Sequence, residues 1–299
     1  MKNKLVMKED RMTKIIAHSL LTILSACCLI PFMIILGSSF ESQSQIMTTG
    51  YTIIPKSFTL DAYKAIFSNP TRLVDAYKIT IITSIAMTLL GLFLQTTYGY
   101  VLSRRDYPYR KFLSFFAFFT MLFNGGLVPS YILISQWLGM KDSILALIIP
   151  GAAGAWYIMM LKSFFMDIPF ELIESAKLDG AKEMFIYWKI VLPLSKPAIA
   201  CIALFILFGS WNAWYPSLLY IEDESKVQLQ YLLMSVMRNI EFLNSEEAVQ
   251  LGVNSAQVSP PTLNARMAMC VLATGPIVMV FPFFQKYFVK GIAVGSVKG

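Results

Sequence analysis

Residues 79–102 read ITIITSIAMTLLGLFLQTTYGYVL, without a single Asp, Glu, Lys or Arg. A helix rises about 1.5 Å per residue, so this run is long enough to cross the roughly 30 Å hydrocarbon core of a bilayer. Five further runs share its character: 15–36, 112–134, 143–161, 198–219 and 267–284. Lipid offers no hydrogen bonds to a polypeptide backbone, so helix is the expected state of each run. The strands of a membrane barrel would be near ten residues long with alternating polarity, and these runs are longer and more uniformly apolar. The composition agrees: 56% of the 299 residues are hydrophobic and 14% are charged, against about 25% charged in a soluble domain. The sequence therefore predicts an all-α membrane protein with six transmembrane helices.

The charges between the runs predict orientation. Of the 25 Lys and Arg, 17 lie in the tail 1–14, the loops 103–111 and 162–197, and the stretch after residue 284. The alternate segments 37–78, 135–142 and 220–266 hold the other eight, two of which, Lys78 and Arg266, sit at span ends. The positive-inside rule then places both termini in the cytoplasm. Residues 1–14 form a cytoplasmic tail, 15–289 the membrane domain and 290–299 a second cytoplasmic tail. The net charge of +7 forms no basic face, so no nucleic-acid partner is expected. Leu24-Ser25-Ala26-Cys27 has the look of a lipoprotein cleavage site, yet the apolar run continues to Leu36 and reads as a retained span. The cysteines Cys27, Cys28, Cys201 and Cys270 all lie in apolar runs without metal-type spacing.

Some functions lack their chemistry here. An ion-coupled carrier keeps titratable groups at membrane depth, and the spans from 79 onward carry none. No G-x-x-x-x-G-K-[ST] phosphate loop and no G-x-S-x-G elbow occurs, and His18 is the one histidine. Neither an ATPase nor an intramembrane hydrolase is expected. The spans do hold uncharged polar residues, among them Gln95, Thr96, Thr97, Asn124 and Asn212. They serve either helix–helix hydrogen bonding or a pathway for a neutral polar solute. Trp211, Asn212, Trp214 and Tyr215 combine aromatic faces with hydrogen-bonding groups, as sugar recognition requires, or anchor a span end at the interface.

The loop 171–197, ELIESAKLDGAKEMFIYWKIVLPLSKP, is long and patterned. Ile173, Ala176, Gly180/Ala181, Met184 and Trp188 recur at three- to four-residue steps, one face of an amphipathic helix. Gly180 predicts two short helices meeting at a bend, and Pro193 and Pro197 end the pattern. Leu178, Ala181 and Phe185 offer apolar area, and Glu174 and Asp179 offer charge for register against a partner. Pattern alone fits an interfacial helix on lipid equally well.

Glu174-Ser175-Ala176, three residues, Gly180, nine residues, Ile190, one residue, Leu192-Pro193 resembles the signature loop of permease subunits of binding-protein-dependent ABC importers. Ser175 departs from the family's alanine. Gly209-Ser210-Trp211-Asn212-Ala213-Trp214 and the ending Gln285 to Gly291 resemble the carbohydrate branch, the maltose-type permeases. Asn124-Gly125-Gly126-Leu127-Val128-Pro129 resembles a subgroup handling complex or acidic oligosaccharides.

The resemblance implies a type I ABC importer permease fold in a bacterial cell membrane. It implies a partner permease, two ATPase subunits, an extracellular binding protein and a sugar or oligosaccharide substrate. ATP and magnesium would be used by the ATPase subunits, with no cofactor on this chain. Glu174, Ser175, Ala176, Leu178, Asp179, Gly180, Ala181 and Phe185 are the implied ATPase-facing residues, and 295–299 a second contact. Asn124, Trp211, Asn212, Trp214 and Tyr215 are candidate pathway residues. The segments 37–78 and 220–266 are the expected contacts of the binding protein, the latter with Glu222, Asp223, Glu224, Glu246, Glu247 and Pro260-Pro261. The first has a short helix expected around Asp61, Tyr63 and Phe67. The weighed alternatives are an ion-coupled carrier, a permease for a non-sugar solute and a passive scaffold.

Overall fold

The computed structural model describes residues 2–67, 70–243 and 263–295. Among these residues no strand forms; a single antiparallel bridge joins Glu41 and Phe58. Three helices are long and apolar enough to cross a membrane: 11–39 within α1 (Lys2–Ser39), α4 (Pro70–Ser103) and 263–283 within α15 (Leu263–Gly295). They contain the first, second and last of the six apolar runs.

The other three runs are helical only in part. Run 112–134 divides into α5 (Arg110–Leu122) and α6 (Leu127–Ile132), which continues as a π-helix over Leu133–Trp137, and the two arms bend by 113°. At the bend Asn124 Oδ1 accepts the backbone N–H of Gly126 at 2.8 Å, the local bond by which asparagine favours a turn over a helix. Run 143–161 is not one helix. Only α7 (Leu145–Ile148) forms before Pro150 and Gly151 stop it, and α8 (Ala155–Met166) begins afresh. Run 198–219 holds α12 (Lys196–Trp211) and α13 (Tyr215–Tyr220), parted at Asn212 with Pro216 in the first turn of α13.

The chain forms two compact units. The unit of 1–70 and 236–274 contains α1, α2 (Gln43–Thr49), α3 (Asp61–Phe67) and the start of α15. Its anchor is Glu41, a fully buried carboxylate that accepts from Thr52 Oγ1 at 2.5 Å and from the Lys56 N–H at 3.0 Å. The Glu41 carbonyl accepts from Asn264 Nδ2 at 3.0 Å. Phe40 stacks against Phe58 and Tyr63 with ring centroids 5.3 and 5.2 Å away. Ala62, Ala265 and Ala268 form a buried cluster; residues this small let helices approach closely. The helix expected around Asp61, Tyr63 and Phe67 is present as α3.

The unit of 71–235 and 275–299 holds the remaining helices. Its core gathers Tyr100 of α4, Leu161 and Phe165 of α8, and Ile202 and Ile206 of α12 around Ile173, Ile186, Tyr187 and Val191. The break in run 143–161 frees backbone groups, and Gln95 answers it. Its side chain is buried on α4 and donates to the Ala152 carbonyl at 2.9 Å. Non-helical backbone in an apolar setting survives where protein groups re-satisfy it.

Gln228 and Leu229, in the segment the sequence reads as outer, pack against the first turns of run 79–102. Gln228 is buried and donates to Thr83 Oγ1 at 3.2 Å, and the Leu229 N–H donates to Thr80 Oγ1 at 2.8 Å. The helix α14 (Leu229–Leu243) follows. Residues 220–226 are stapled to the loop before α7: Asp142 accepts the N–H groups of Glu222 and Asp223 at 3.2 and 3.0 Å and pairs with Lys226 at 3.0 Å. Glu246, Glu247 and Pro260-Pro261 lie outside the described residues.

Gly99 sets the approach of α4 to α8. A Cβ there would stand 3.0 Å from Leu161 Cβ and 3.3 Å from the Ile158 carbonyl oxygen, whereas at Gly209 it would meet nothing within 4 Å. Gly99→Val is expected to destabilise the protein by about 1–3 kcal/mol. Gly209→Ala, inside α12 and in open space, should leave stability unchanged or raise it by up to about 1 kcal/mol. Thermal unfolding in detergent measures both, and equal midpoints for the two variants would contradict the packing argument.

Candidate functional site

The patterned loop folds as expected into two short helices. Helix α9 (Phe170–Leu178) ends in a turn at Gly180, whose φ of 82° is one that side-chain-bearing residues rarely adopt. A second arm starts at α10 (Glu183–Ile186), widens into a π-helix over Tyr187–Val191 and closes with α11 (Leu192–Leu194). That arm meets α12 at a bend of 81°.

The buried face differs from the periodicity in the sequence. Ile173 is buried and Ala176 and Ala181 pack against the core, as a single amphipathic stripe requires. Beyond the turn the stripe restarts. Ile186, Tyr187 and Val191 are buried, and Met184 and Trp188 face outward. The reversal at Gly180 resets the helical phase, so a stripe read straight through the glycine picks the wrong side of the second arm.

The outward side of the turn is apolar at its tip. Leu178 is 88% exposed, and Met184 and Phe185 are also exposed. Glu174, Ser175, Asp179 and Gly180 are exposed around them. Glu174, Ser175, Leu178, Asp179, Gly180 and Phe185 are thus each exposed, while Ala176 and Ala181 pack toward the core.

A charge cluster fastens this bent pair to the end of α4. Arg104, only 6% exposed, places Nη2 3.1 Å from Asp106 and 3.3 Å from Glu183. Lys177 Nζ reaches the same two carboxylates at 2.5 and 2.8 Å. Tyr100 OH donates to Glu183 Oε2 at 2.6 Å, and the Arg104 guanidinium lies 5.7 Å from the Tyr100 ring centre. One turn deeper, the hydroxyls of Thr96 and Tyr187 share a hydrogen bond of 2.8 Å. Two cations and two carboxylates balance, as a partly buried cluster must to limit its desolvation cost. Sequence reasoning gave Arg104 only a topological role. Its partner Glu183 lies 79 residues away, and no spacing rule links them.

The cluster holds Asp106, Glu183 and Lys177 ionised. Lys177's hydrogen bond holds the Asp106 carboxyl below its ordinary range against the upward push of burial. Burial pushes Glu183 up, but hydrogen bonds from Lys177 and Tyr100 and the nearby Arg104 charge more than offset it, leaving the carboxyl low. Hydrogen bonds to Asp106 and Glu183 raise Lys177.

The candidate pathway residues are not assembled into one constellation. Asn124 is exposed and occupied with its own turn. Trp211 is buried at the end of α12. Asn212 caps that helix, donating to the Phe208 carbonyl at 3.0 Å and accepting from Gln230 at 3.3 Å. Trp214 and Tyr215 meet edge-on with centroids 5.4 Å apart. Gln95 and Thr96, the other polar span residues, are committed to internal hydrogen bonds. An open, mostly apolar groove of about 820 Å³ runs along α4 and the second arm, lined by Phe93, Thr96, Tyr187, Trp188, Lys196 and Ile199 among others. Among the described residues no cluster of His, Cys, Asp or Glu is arranged to hold a metal. Residues 296–299 of the expected tail contact lie outside the described residues.

Comparison with known proteins supplies the context of this geometry. Residues 108–294 match the family model described as binding-protein-dependent transport system inner membrane component. Protein LplC of Bacillus subtilis (strain 168) is 40% identical over 274 residues, covering 92% of this chain and 90% of that protein. The polygalacturonan/rhamnogalacturonan transport system permease protein YtcP of the same organism is 37% identical, covering 97% of this chain and all of its own length (100%). A chain from the crystal structure of a bacterial ABC transporter involved in the import of the acidic polysaccharide alginate superposes with a TM-score of 0.77. It is 29% identical, with 94% of this chain and 98% of that one covered.

The cluster predicts a pH window. Depressed carboxylates add stability above their unfolded values, about 3.9 for Asp and 4.3 for Glu, and lose it as pH falls through the folded values. The raised Lys177 adds stability below its ordinary value of about 10.4 and loses it as pH rises through the folded one. The difference in thermal midpoint between the wild type and Glu183→Gln should be flat from about pH 5 to 9 and shrink below about pH 4. A difference that persists undiminished at about pH 3 would show that the ionised carboxylate is not what stabilises the turn.

Proposed function

We propose that this chain, a member of the family of binding-protein-dependent transport system inner membrane components, forms half of the channel of an ATP-driven importer for a sugar polymer fragment, with an acidic oligosaccharide as the cargo. It is a membrane permease rather than an enzyme of its own. ATP and magnesium belong to two separate ATPase subunits, and an extracellular binding protein delivers the cargo. A second, different permease chain completes the channel. The Lys and Arg distribution supports placing both termini and the bent helix pair in the cytoplasm.

The observation that carries this reading is the turn at Gly180. It projects Leu178, Met184 and Phe185 into solvent beside the family's signature residues Glu174, Ser175 and Ala176. Exposed apolar side chains rimmed by charge are what a docking surface presents. Leu178 has the exposure of an anchor awaiting a pocket, and Glu174 and Asp179 supply the charge that fixes register. The backbone bend at Gly180 has nothing within 4 Å of a Cβ, so a partner surface can approach the chain closely there.

Uphill movement needs an energy source, and the spans contribute none: residues 79–102 hold no ionisable Asp, Glu, Lys or Arg. Energy must then enter through the turn, as ATP-driven closure of the partner subunits pushing on it. The cargo class is supported by the relatives named for polygalacturonan/rhamnogalacturonan transport and alginate import. Trp214 and Tyr215, perpendicular and adjacent, offer the aromatic faces on which sugar rings pack.

Leu178→Asp is expected to weaken binding of the ATPase subunits by at least about 2 kcal/mol, some 30-fold in Kd. Retention of the ATPases on the affinity-purified permease pair measures this. Gly180→Trp meets no neighbour but strains a turn at a φ of 82° by about 1–2 kcal/mol, and it should abolish ATP hydrolysis stimulated by the loaded binding protein while the permease pair still purifies with its ATPases. Normal stimulation in Gly180→Trp would remove the turn from the proposed role.

A further inference from the structure

The bent helix pair is joined by the chain itself to α8 on one side and to α12 on the other. It has no covalent connection to α4 nearer than Arg104–Asp106, which lies 71 residues before Lys177. Yet the tightest polar contacts of the pair are made with the end of α4. Tyr100 and Arg104 stand on α4 or just past it, Asp106 follows in the next turn, Lys177 is on α9 and Glu183 opens α10. The two members that belong to the bent pair, Lys177 and Glu183, lie on opposite sides of the Gly180 bend. Lys177 and Glu183 are themselves paired at 2.8 Å, so the cluster closes the bend as well as gripping α4.

We propose that Tyr100, Arg104, Asp106, Lys177 and Glu183 act as a clamp that makes the bent pair and the end of α4 move as one body, so that a push on the turn is delivered to α4. Arg104, Lys177 and Glu183 are positioning residues: they touch neither cargo nor nucleotide and act by fixing one element to another. The chemistry suits that task. Arg104 is the buried member, 6% exposed against 38–52% for Lys177, Asp106 and Glu183, so separating the carboxylates from it strands a buried guanidinium, and the cluster resists parting at that point. Apolar contacts, such as the Tyr100–Tyr187 ring pair at 5.2 Å, allow sliding of one surface over another. Removing the charges while keeping the apolar contacts therefore separates the two modes of linkage.

The inference rests on the reading that ATPase subunits push on the turn, and its test distinguishes the two. In a cysteine-free background, reporter cysteines are placed one at a time at Trp188, exposed on the second arm, and at Lys78, exposed on α4. The complete complex with its ATPase subunits is reconstituted. The rate of modification by a fluorescent maleimide is compared without nucleotide and with ATP plus vanadate. In the wild type both reporters should change rate. With Glu183→Gln, and independently with Lys177→Gln, Trp188→Cys should still respond, and the response at Lys78→Cys should fall by about tenfold. A full response at Lys78→Cys in both variants overturns the clamp and leaves the ATPase-driven turn standing. No response of Trp188→Cys in the wild type overturns the driven turn, and the clamp with it. Loss of the response at Trp188→Cys in both variants, with the ATPases still bound, also overturns the clamp, since the charges would then act on docking or folding of the turn rather than on delivery to α4.

Discussion

A peptide group that leaves a helix inside an apolar environment must find another partner, and much of this structure answers that demand. Runs 112–134, 143–161 and 198–219 each break their helix. Each break is met by a local or distant polar group. Asn124 closes the first turn on Gly126. Gln95 crosses from α4 to the Ala152 carbonyl at the second, and Asn212 caps the third. The long helices α1, α4 and α15 keep their backbone bonds to themselves. Pro31 in α1 and Pro276 and Pro282 in α15 each remove one donor from those ladders without dividing the helix.

The polar residues of α4 fall into place under the same demand. Gln95 and Thr96, with Thr80 and Thr83 further along, bond to α7–α8, to the π-helical arm and to the segment entering α14. Helix α4 thus carries polar links to three separate parts of its unit. At one end it receives Gln228 and Leu229, and at the other it receives the charge cluster. Hydrogen bonds made away from water have no solvent competitor, so a few of them fix the register of helices whose apolar faces alone are nearly interchangeable.

The bent pair shows how one residue assigns two faces. Gly180 lets the chain reverse at a φ of 82°. Ile173, Ile186 and Tyr187 then bury on one side, while Leu178 and Phe185 are left on the other. In a continuous helix Ile173, Ala176, Met184 and Trp188 would have shared a single stripe. A surface apolar enough to dock a partner and a face buried enough to join the core both come from this reversal.

The sequence by itself determined the solvent, the helical class and the identity of the signature loop. Each of these depends on residues close together in the chain: unbroken apolar runs, a glycine at fixed distance from Glu174, and prolines that end a pattern. Only the tertiary structure decided that run 143–161 is broken and that segment 220–266 sends Gln228 into the core. It alone placed Met184 and Trp188 outward and brought Arg104 to Glu183. These outcomes depend on pairings between residues tens of positions apart. Hydropathy measures how much a side chain prefers to leave water, and it carries no information about which distant group will satisfy a carbonyl or a charge once it has done so.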